Sequence, residues 1–236
     1  MKIDKRKKYI LVLDVETANS TDDALTYDIG CAIADKQGNI YETRSFIIND
    51  IFVGEKDLMQ SAYYAKKIPK YEERILQGDF IVTNFYKARF NILALMKKYN
   101  CTTVAAYNAN FDRNALNVTQ RWLTKSKYRF YFPYGTEIMC IWHMACQVLY
   151  TQKSFIKMAR ENGFVSEAGN LRTSAEVGFR YMINDYDFEE DHTGLEDVKI
   201  EVQIMARCFR QHKPMKTTIN RWCWRIPTSK AKELAI

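Results

Sequence analysis

The chain has 236 residues, 47% of them hydrophobic and 14% aromatic, and a formal net charge of +7. That length accommodates one α/β domain with a short appendage, and the apolar content supplies a sizeable core, which excludes a disordered or low-complexity chain. The positive balance favours polyanionic partners, nucleic acid among them, without selecting one.

Near the start, Lys5-Arg6-Lys7-Lys8 reads as a solvated basic run, with phosphate contact as its second reading. No apolar stretch with a small-residue cleavage site follows, so no signal peptide is expected. Residues 9–15 are continuously hydrophobic and rich in β-formers, which predicts a central strand covered on both faces. Residues 27–34 and 41–48 are the next strands, and Lys36-Gln37-Gly38-Asn39 between them has turn chemistry, so the two form a hairpin. Residues 51–99 read as mostly helical, with apolar positions at helical spacing over 85–98. A short strand is expected at 102–107, then a helix from near Asn110 towards Leu123, capped by Asn108 or Asn110. Residues 127–134 form a short strand or loop whose aromatics, Tyr128-Arg129-Phe130-Tyr131-Phe132, suit a core better than a base platform.

Two helices are predicted over 137–150 and 154–162, the second stopped by Gly163. A loop over 165–172 and a helix over 174–183 follow. Leu195, Val198, Val202, Met205 and Phe209 mark a long amphipathic helix. Arg221-Trp222-Cys223-Trp224-Arg225 interleaves cations and aromatics, which suits stacking on a single strand; anchoring by the tryptophans is the more common use of such a pair. The apolar run 138–150 contains His143 and Gln147 and is too short to span a membrane. The six cysteines Cys31, Cys101, Cys140, Cys146, Cys208 and Cys223 read as reduced, buried thiols of a cytosolic protein. Cys140, His143 and Cys146 at i, i+3 and i+6 on a helix do not converge on a zinc ion.

Chemistry concentrates at three places. Asp14 and Glu16 lie two apart at the end of the first strand, so their carboxylates share a face. They repel each other there unless a cation neutralises them. Asp112 falls in the first turn of its helix, where the macrodipole favours an acid. In Asp191-His192-Thr193-Gly194-Leu195-Glu196-Asp197, Thr193 and Glu196 match a capping box, which places Asp197 in the first helical turn and His192 just outside it. Four carboxylates and one titratable base are the inventory for holding two hard divalent cations and activating a water against a phosphodiester.

A DxET after a hydrophobic strand, an AxFD and an HxxLxD opening a helix form a combination that resembles the DnaQ-like 3′–5′ exonucleases with a catalytic histidine, the DEDDh family. The resemblance runs from Asp14 to Asp197. It implies an RNase H-like α/β fold, a mixed sheet flanked by helices, with a nuclease domain at 1–212 and a basic, aromatic segment at 213–236 packed on it. It also implies two Mg²⁺ or Mn²⁺ ions. Asp14, Glu16 and Asp197 would hold the one that carries the attacking water, Asp14 and Asp112 the other, and His192 would be the general base. Thr17, Ala18, Asn108 and Phe111 would meet the substrate. Family members commonly have His where this chain has Tyr107 and Ala where it has Gly194; the second exchange, small for small, is expected to matter little.

The expected activity is stepwise release of nucleoside 5′-monophosphates from 3′ ends, of single-stranded DNA first. An exoribonuclease on the same site and a non-catalytic nucleic-acid-binding module are the alternatives. The partner is nucleic acid with a free 3′ end, with a polymerase or other replication or repair protein as a second partner. No membrane is involved, and the location is the cytosol of a bacterium or a phage-infected cell.

Overall fold

Ile10–Ala18 forms β1, whose apolar residues sort by parity. Leu11, Leu13 and Val15 enter one core and Ile10 and Val12 another, because successive strand side chains alternate between faces. The structure is a computed structural model that describes residues 3–4, 6–63, 65–125 and 130–234. Antiparallel to β1 runs β2, Leu25–Ala34, buried along its whole length, and antiparallel to β2 runs β3, Ile40–Ile48. The hairpin turn is closed by hydrogen bonds between Asp35 and Asn39, with Gly38 at φ +92°. Only glycine takes that backbone conformation without strain.

Beyond β3 come two four-residue helices, α1 (Asn49–Phe52) and α2 (Lys56–Met59), then α3 (Ile68–Gln77), β4 (Ile81–Thr83) and α4 (Phe85–Lys98). β5 (Thr103–Ala106) pairs parallel to β1 and leads into α5 (Ala109–Thr124). β6 (Glu137–Cys140) pairs parallel to β5 and is followed by α6 (Ile141–Val148), α7 (Lys153–Glu161), α8 (Ala175–Ile183), α9 (Gly194–Phe209) and α10 (Arg225–Glu233). The sheet order is β4-β3-β2-β1-β5-β6. Helices α3 to α5 cover one face and α6 to α9 the other. This is the expected α/β architecture, a six-stranded mixed sheet with antiparallel strands at its centre and helices on both faces.

Two expectations are corrected. Residues 137–140 are a strand, because Ile138 and Met139 pair with Val104 and Ala105 at the sheet edge, so the helix predicted over 137–150 shortens to α6. The helical stretch 51–99 is interrupted by β4, three residues paired parallel to β3 and too short to show a period. Of 127–134, expected as a short strand or loop, residues 127–129 lie outside the described residues; the rest is a loop with Tyr131 and Phe132 in the core, as expected, and Phe130 exposed.

Candidate active site

Parity carries straight into the site. Asp14 and Glu16 continue the Ile10 and Val12 face of β1, and pair across β2 with Gly30 and Asp28. A bulge between Glu16 and Thr17 ends the regular register there, and bulges commonly re-aim side chains at such places. β1 extends beyond its pairing with β5, so both acids emerge at the C-terminal end of the parallel strands, where open α/β sheets place their ligand crevices.

α9 comes down onto this end through glycine. Gly30 and Gly194 face each other across the gap between β2 and the first turn of α9. A Cβ on Gly194 would lie 2.6 Å from the Gly30 nitrogen and 3.2 Å from the Asp14 carbonyl oxygen. Position 194 therefore does not accept Ala as a neutral exchange: the backbones are too close for a methyl group.

The capping box is not formed either. Thr193 occupies the N-cap, but its side chain makes no cap bond, and Glu196 pairs with Lys199 at 2.8 Å. Asp28, buried in β2, does the capping from across the sheet. Its Oδ2 accepts the Gly194 N–H at 3.0 Å and the Tyr71 hydroxyl at 2.8 Å. An ionised acid at a helix N-terminus satisfies an orphan donor and meets the positive end of the dipole, so a stronger partner replaces the threonine.

Asp112 is buried in the first turn of α5. Asn108 is the N-cap residue, though through its backbone alone. Thr17, Asn108 and Phe111 are at least partly accessible at this end, whereas Ala18 is buried and can offer only its backbone. Tyr107 turns away into the α6–α9 core: its hydroxyl meets the Tyr150 hydroxyl at 2.6 Å and donates to the Thr173 carbonyl at 2.5 Å.

His192 sits at φ +50°, a left-handed conformation that costs a non-glycine residue energy and is held here by its surroundings. Lys67 donates to the Asp191 carbonyl at 2.6 Å, Lys70 and Arg74 pair with the Asp191 carboxylate, and the Tyr71 hydroxyl lies 3.4 Å from the His192 carbonyl. α3 and the Lys67 that precedes it thus clamp the loop that carries the histidine. Glu190 lies beside the ring, its Oε2 3.8 Å from Nδ1. Ligand atoms of Glu16, His192 and Asp197 lie within 4.8 Å of one another. A cleft of about 740 Å³ lined by Glu16, Tyr63, Lys66, Ser174, Glu176, Glu190 and His192 opens over them.

Crowding shows in the acid–base properties. Burial, then Glu201, Asp112, Glu16 and Asp197, push the Asp14 carboxyl far above its ordinary range. Burial and then Asp197 raise Glu16 to about 9; burial and then Glu190 raise Asp197 to about 8; burial raises Asp112 to about 7 against the pull of the backbone amides of Asp112 and Val15. Burial and then Lys67 lower the His192 imidazole below its usual value, so it is neutral and able to accept a proton near pH 7.

The sequence reading missed three acids here. Glu201, 2% exposed, stands one turn after Asp197 among the buried residues of α9, and its Oε2 has no hydrogen-bond partner. An acid between Asp197, Val198, Val202 and Met205 on one helical stripe was its signal. Asp28 sits inside an apolar strand, on the same parity as Gly30. Glu190 has no local signal; only the folded loop brings it to His192.

These residues suit a hard divalent cation. Asp197 Oδ1 and Glu201 Oε2 are buried without partners, the like charges are crowded, and the donors are carboxylate oxygens with one imidazole. Cys140, His143 and Cys146 do not form a metal group: His143 Nδ1 bonds to the Thr218 carbonyl at 2.6 Å, and all six cysteines are free and buried.

No family model matches the chain, and no curated protein matches it in sequence. Solved structures do. E. coli exonuclease I in complex with a 5cy-dT13 oligonucleotide superposes with a TM-score of 0.51 at 13% identity, over 88% of this chain and 41% of that one. The zinc-bound form of the E. coli exonuclease I–single-stranded DNA complex gives 0.50 at 14% identity, over 88% and 41%. The chain therefore spans about two-fifths of the length of these neighbours, and at such identity the likeness is one of fold. No described helix is long and apolar enough to cross a membrane.

Proposed function

We propose that this protein is a divalent-metal-dependent 3′–5′ exonuclease of the DEDDh type that releases nucleoside 5′-monophosphates from single-stranded DNA. One observation carries the reading: Asp14 and Glu16 on β1, Asp112 on α5, and His192 and Asp197 at the start of α9 converge on one end of the sheet, though they lie up to 183 positions apart in sequence. The neighbours in fold are a nuclease bound to single-stranded DNA, which supports the substrate class.

Asp14, Glu16, Asp112 and Asp197 would hold Mg²⁺ or Mn²⁺. Such ions, when bound, acidify a water and stabilise the charge on the leaving 3′ oxygen. His192 accepts the proton of the attacking water. Asp28 and Tyr71 hold the turn between His192 and α9 and so set the relation of base to ligand Asp197. The Thr17 and Ala18 backbone, Asn108 and Phe111 contact the terminal nucleotide. Residues 1–212 form the nuclease domain and 213–236 its appended segment; the protein works in the cytosol, alone or beside a replication or repair polymerase.

The test is digestion of DNA and RNA oligomers of one sequence, labelled at either end, with Mg²⁺, Mn²⁺ or EDTA. Loss of 3′ label as mononucleotide with DNA, abolished by EDTA, is the expected result. Equal or faster digestion of RNA would make it an exoribonuclease, and binding without release of nucleotide under Mn²⁺ would reject the enzyme.

A further inference from the structure

Residues 210–232 contain seven lysines and arginines and no acid. The other 28 of the 35 cations are matched by the 28 acids, so this one segment equals the net charge of the chain. It is built onto the protein. The Gln147 amide brackets the Lys216 backbone at 2.9 and 3.0 Å, the Cys140 N–H donates to the Thr217 carbonyl at 2.7 Å, and Thr218 and Asn220 meet His143. Cys223, wholly buried, and the Thr228 hydroxyl at the Leu171 N–H fasten the rest.

That anchoring leaves Trp222 unneeded for packing. It is 60% exposed, and the Arg225 guanidinium lies 4.7 Å from its ring centroid and 5.3 Å from that of Trp224. Arg221 reaches the other way, its Nη2 3.3 Å from Asn110 Oδ1, two residues before Asp112. An exposed indole stiffened by a guanidinium, with a second arginine held on the first turn of the helix that carries Asp112, combines a stacking surface with phosphate-binding charge.

We infer that Arg221, Trp222 and Arg225 form a subsite for single-stranded nucleic acid, holding nucleotides on the 5′ side of the one being cleaved. The inference rests on the proposed exonuclease reading. The acid cluster consumes the 3′ end; the subsite, which touches the first turn of α5 through Arg221 and Asn110, holds the strand that follows it.

The experiment measures binding and cleavage separately, with the full chain. Anisotropy of a labelled trinucleotide and a long oligothymidylate is read in EDTA for the wild type, for Trp222→Ala and for Arg221→Gln with Arg225→Gln, each checked for a wild-type melt. Trp222→Ala should weaken the long strand about tenfold and the trinucleotide much less, with Trp222→Phe recovering most of the loss. The paired arginine change should flatten the logarithmic salt slope for the long strand by roughly 1. The ratio of kcat/KM on the long strand to that on the trinucleotide should fall in the same variants. Wild-type affinity and salt slope in folded variants, or equal losses on both lengths, would overturn the subsite. Should Trp222→Ala fail to fold, the paired arginine variant decides alone. A wild type that neither binds nor cleaves the long strand rejects the exonuclease reading instead; one that does both while the variants match it rejects the subsite only.

Discussion

Asp14 sits in a crowd of like charges: burial first, then Glu201, Asp112, Glu16 and Asp197, raise its carboxyl. Removing one charge relieves the others. Asp14→Asn and Asp197→Asn should each abolish nucleotide release and, in EDTA, melt at or above the wild-type temperature. Variants already unfolded at room temperature would show these acids to be structural. At His192 the direction of the shift sets the pH profile. The imidazole titrates below its usual value, because burial and Lys67 disfavour its charged form. The rate should therefore climb with acid-side pH and reach its plateau before neutrality. His192→Ala should lower kcat by roughly 10²–10⁴-fold and lose that climb; a variant that keeps both rate and profile would assign the base elsewhere. Tyr107 shows why one position means little without its surroundings: beside the motif that bears Asp112, its side chain turns into a buried contact with Tyr150 and Thr173.

At the scale of elements, α9 is placed by two features that no helix propensity contains. The Gly30–Gly194 contact sets its height over β1 and β2, and Asp28 holds its first N–H. Gly194→Ala should destabilise the fold by about 1–3 kcal/mol, because the methyl group must push the helix off the strand. The same displacement moves Asp197, so kcat should fall even in protein that remains folded. Unchanged urea midpoint and kcat would mean that the gap closes freely. Asp28→Ala leaves the Gly194 N–H unpaired where water is scarce, which costs about 1–3 kcal/mol at most, and leaves the Tyr71 hydroxyl only its 3.4 Å contact with the His192 carbonyl. α3 and the Lys67 that precedes it also clamp the histidine loop, with Lys70 and Arg74 as the contacts from the helix. A short amphipathic helix far from the motifs thus governs the geometry of the base.

For the whole molecule, the acid cluster links stability to pH and metal. Glu16, Asp197, Asp112 and Asp28 titrate at about 9, 8, 7 and 6 in the fold and near 4 in the unfolded chain. Each folded value is raised, so the native state holds the proton more tightly than the unfolded chain does. Their contribution is complete below the unfolded value and is lost as pH rises through the folded values. In EDTA the melting temperature should therefore fall between about pH 5 and about pH 9. Asp35, Glu42 and Asp191, whose partners lower their values, act on the acid side of that window. Saturating Mn²⁺ should raise the melting temperature most at the alkaline end, where the native carboxylates are ionised and repel one another. An EDTA melt that rises with pH, or a Mn²⁺ shift independent of pH, would contradict a metal site at these acids.

The sequence alone determined the continuous apolar run of β1, the hairpin after it, the helix that bears Asp112, the amphipathic stripe of α9 and the three motifs with their acids and histidine. Each is a local pattern, read from a period of two, a helical period or a turn residue within a few positions. Only the tertiary structure decided that residues 137–140 become an edge strand, that Asp28 rather than Thr193 caps α9, that Gly194 admits no methyl group, and that Glu201 and Glu190 join the acids. Those outcomes depend on backbone approach and on partners far apart in sequence, Asp28 and Gly194 above all, separated by 166 positions. A single chain read in order carries no measure of that proximity, which arises when the two faces of β1 and β2 are covered and α9 settles on the glycine between them.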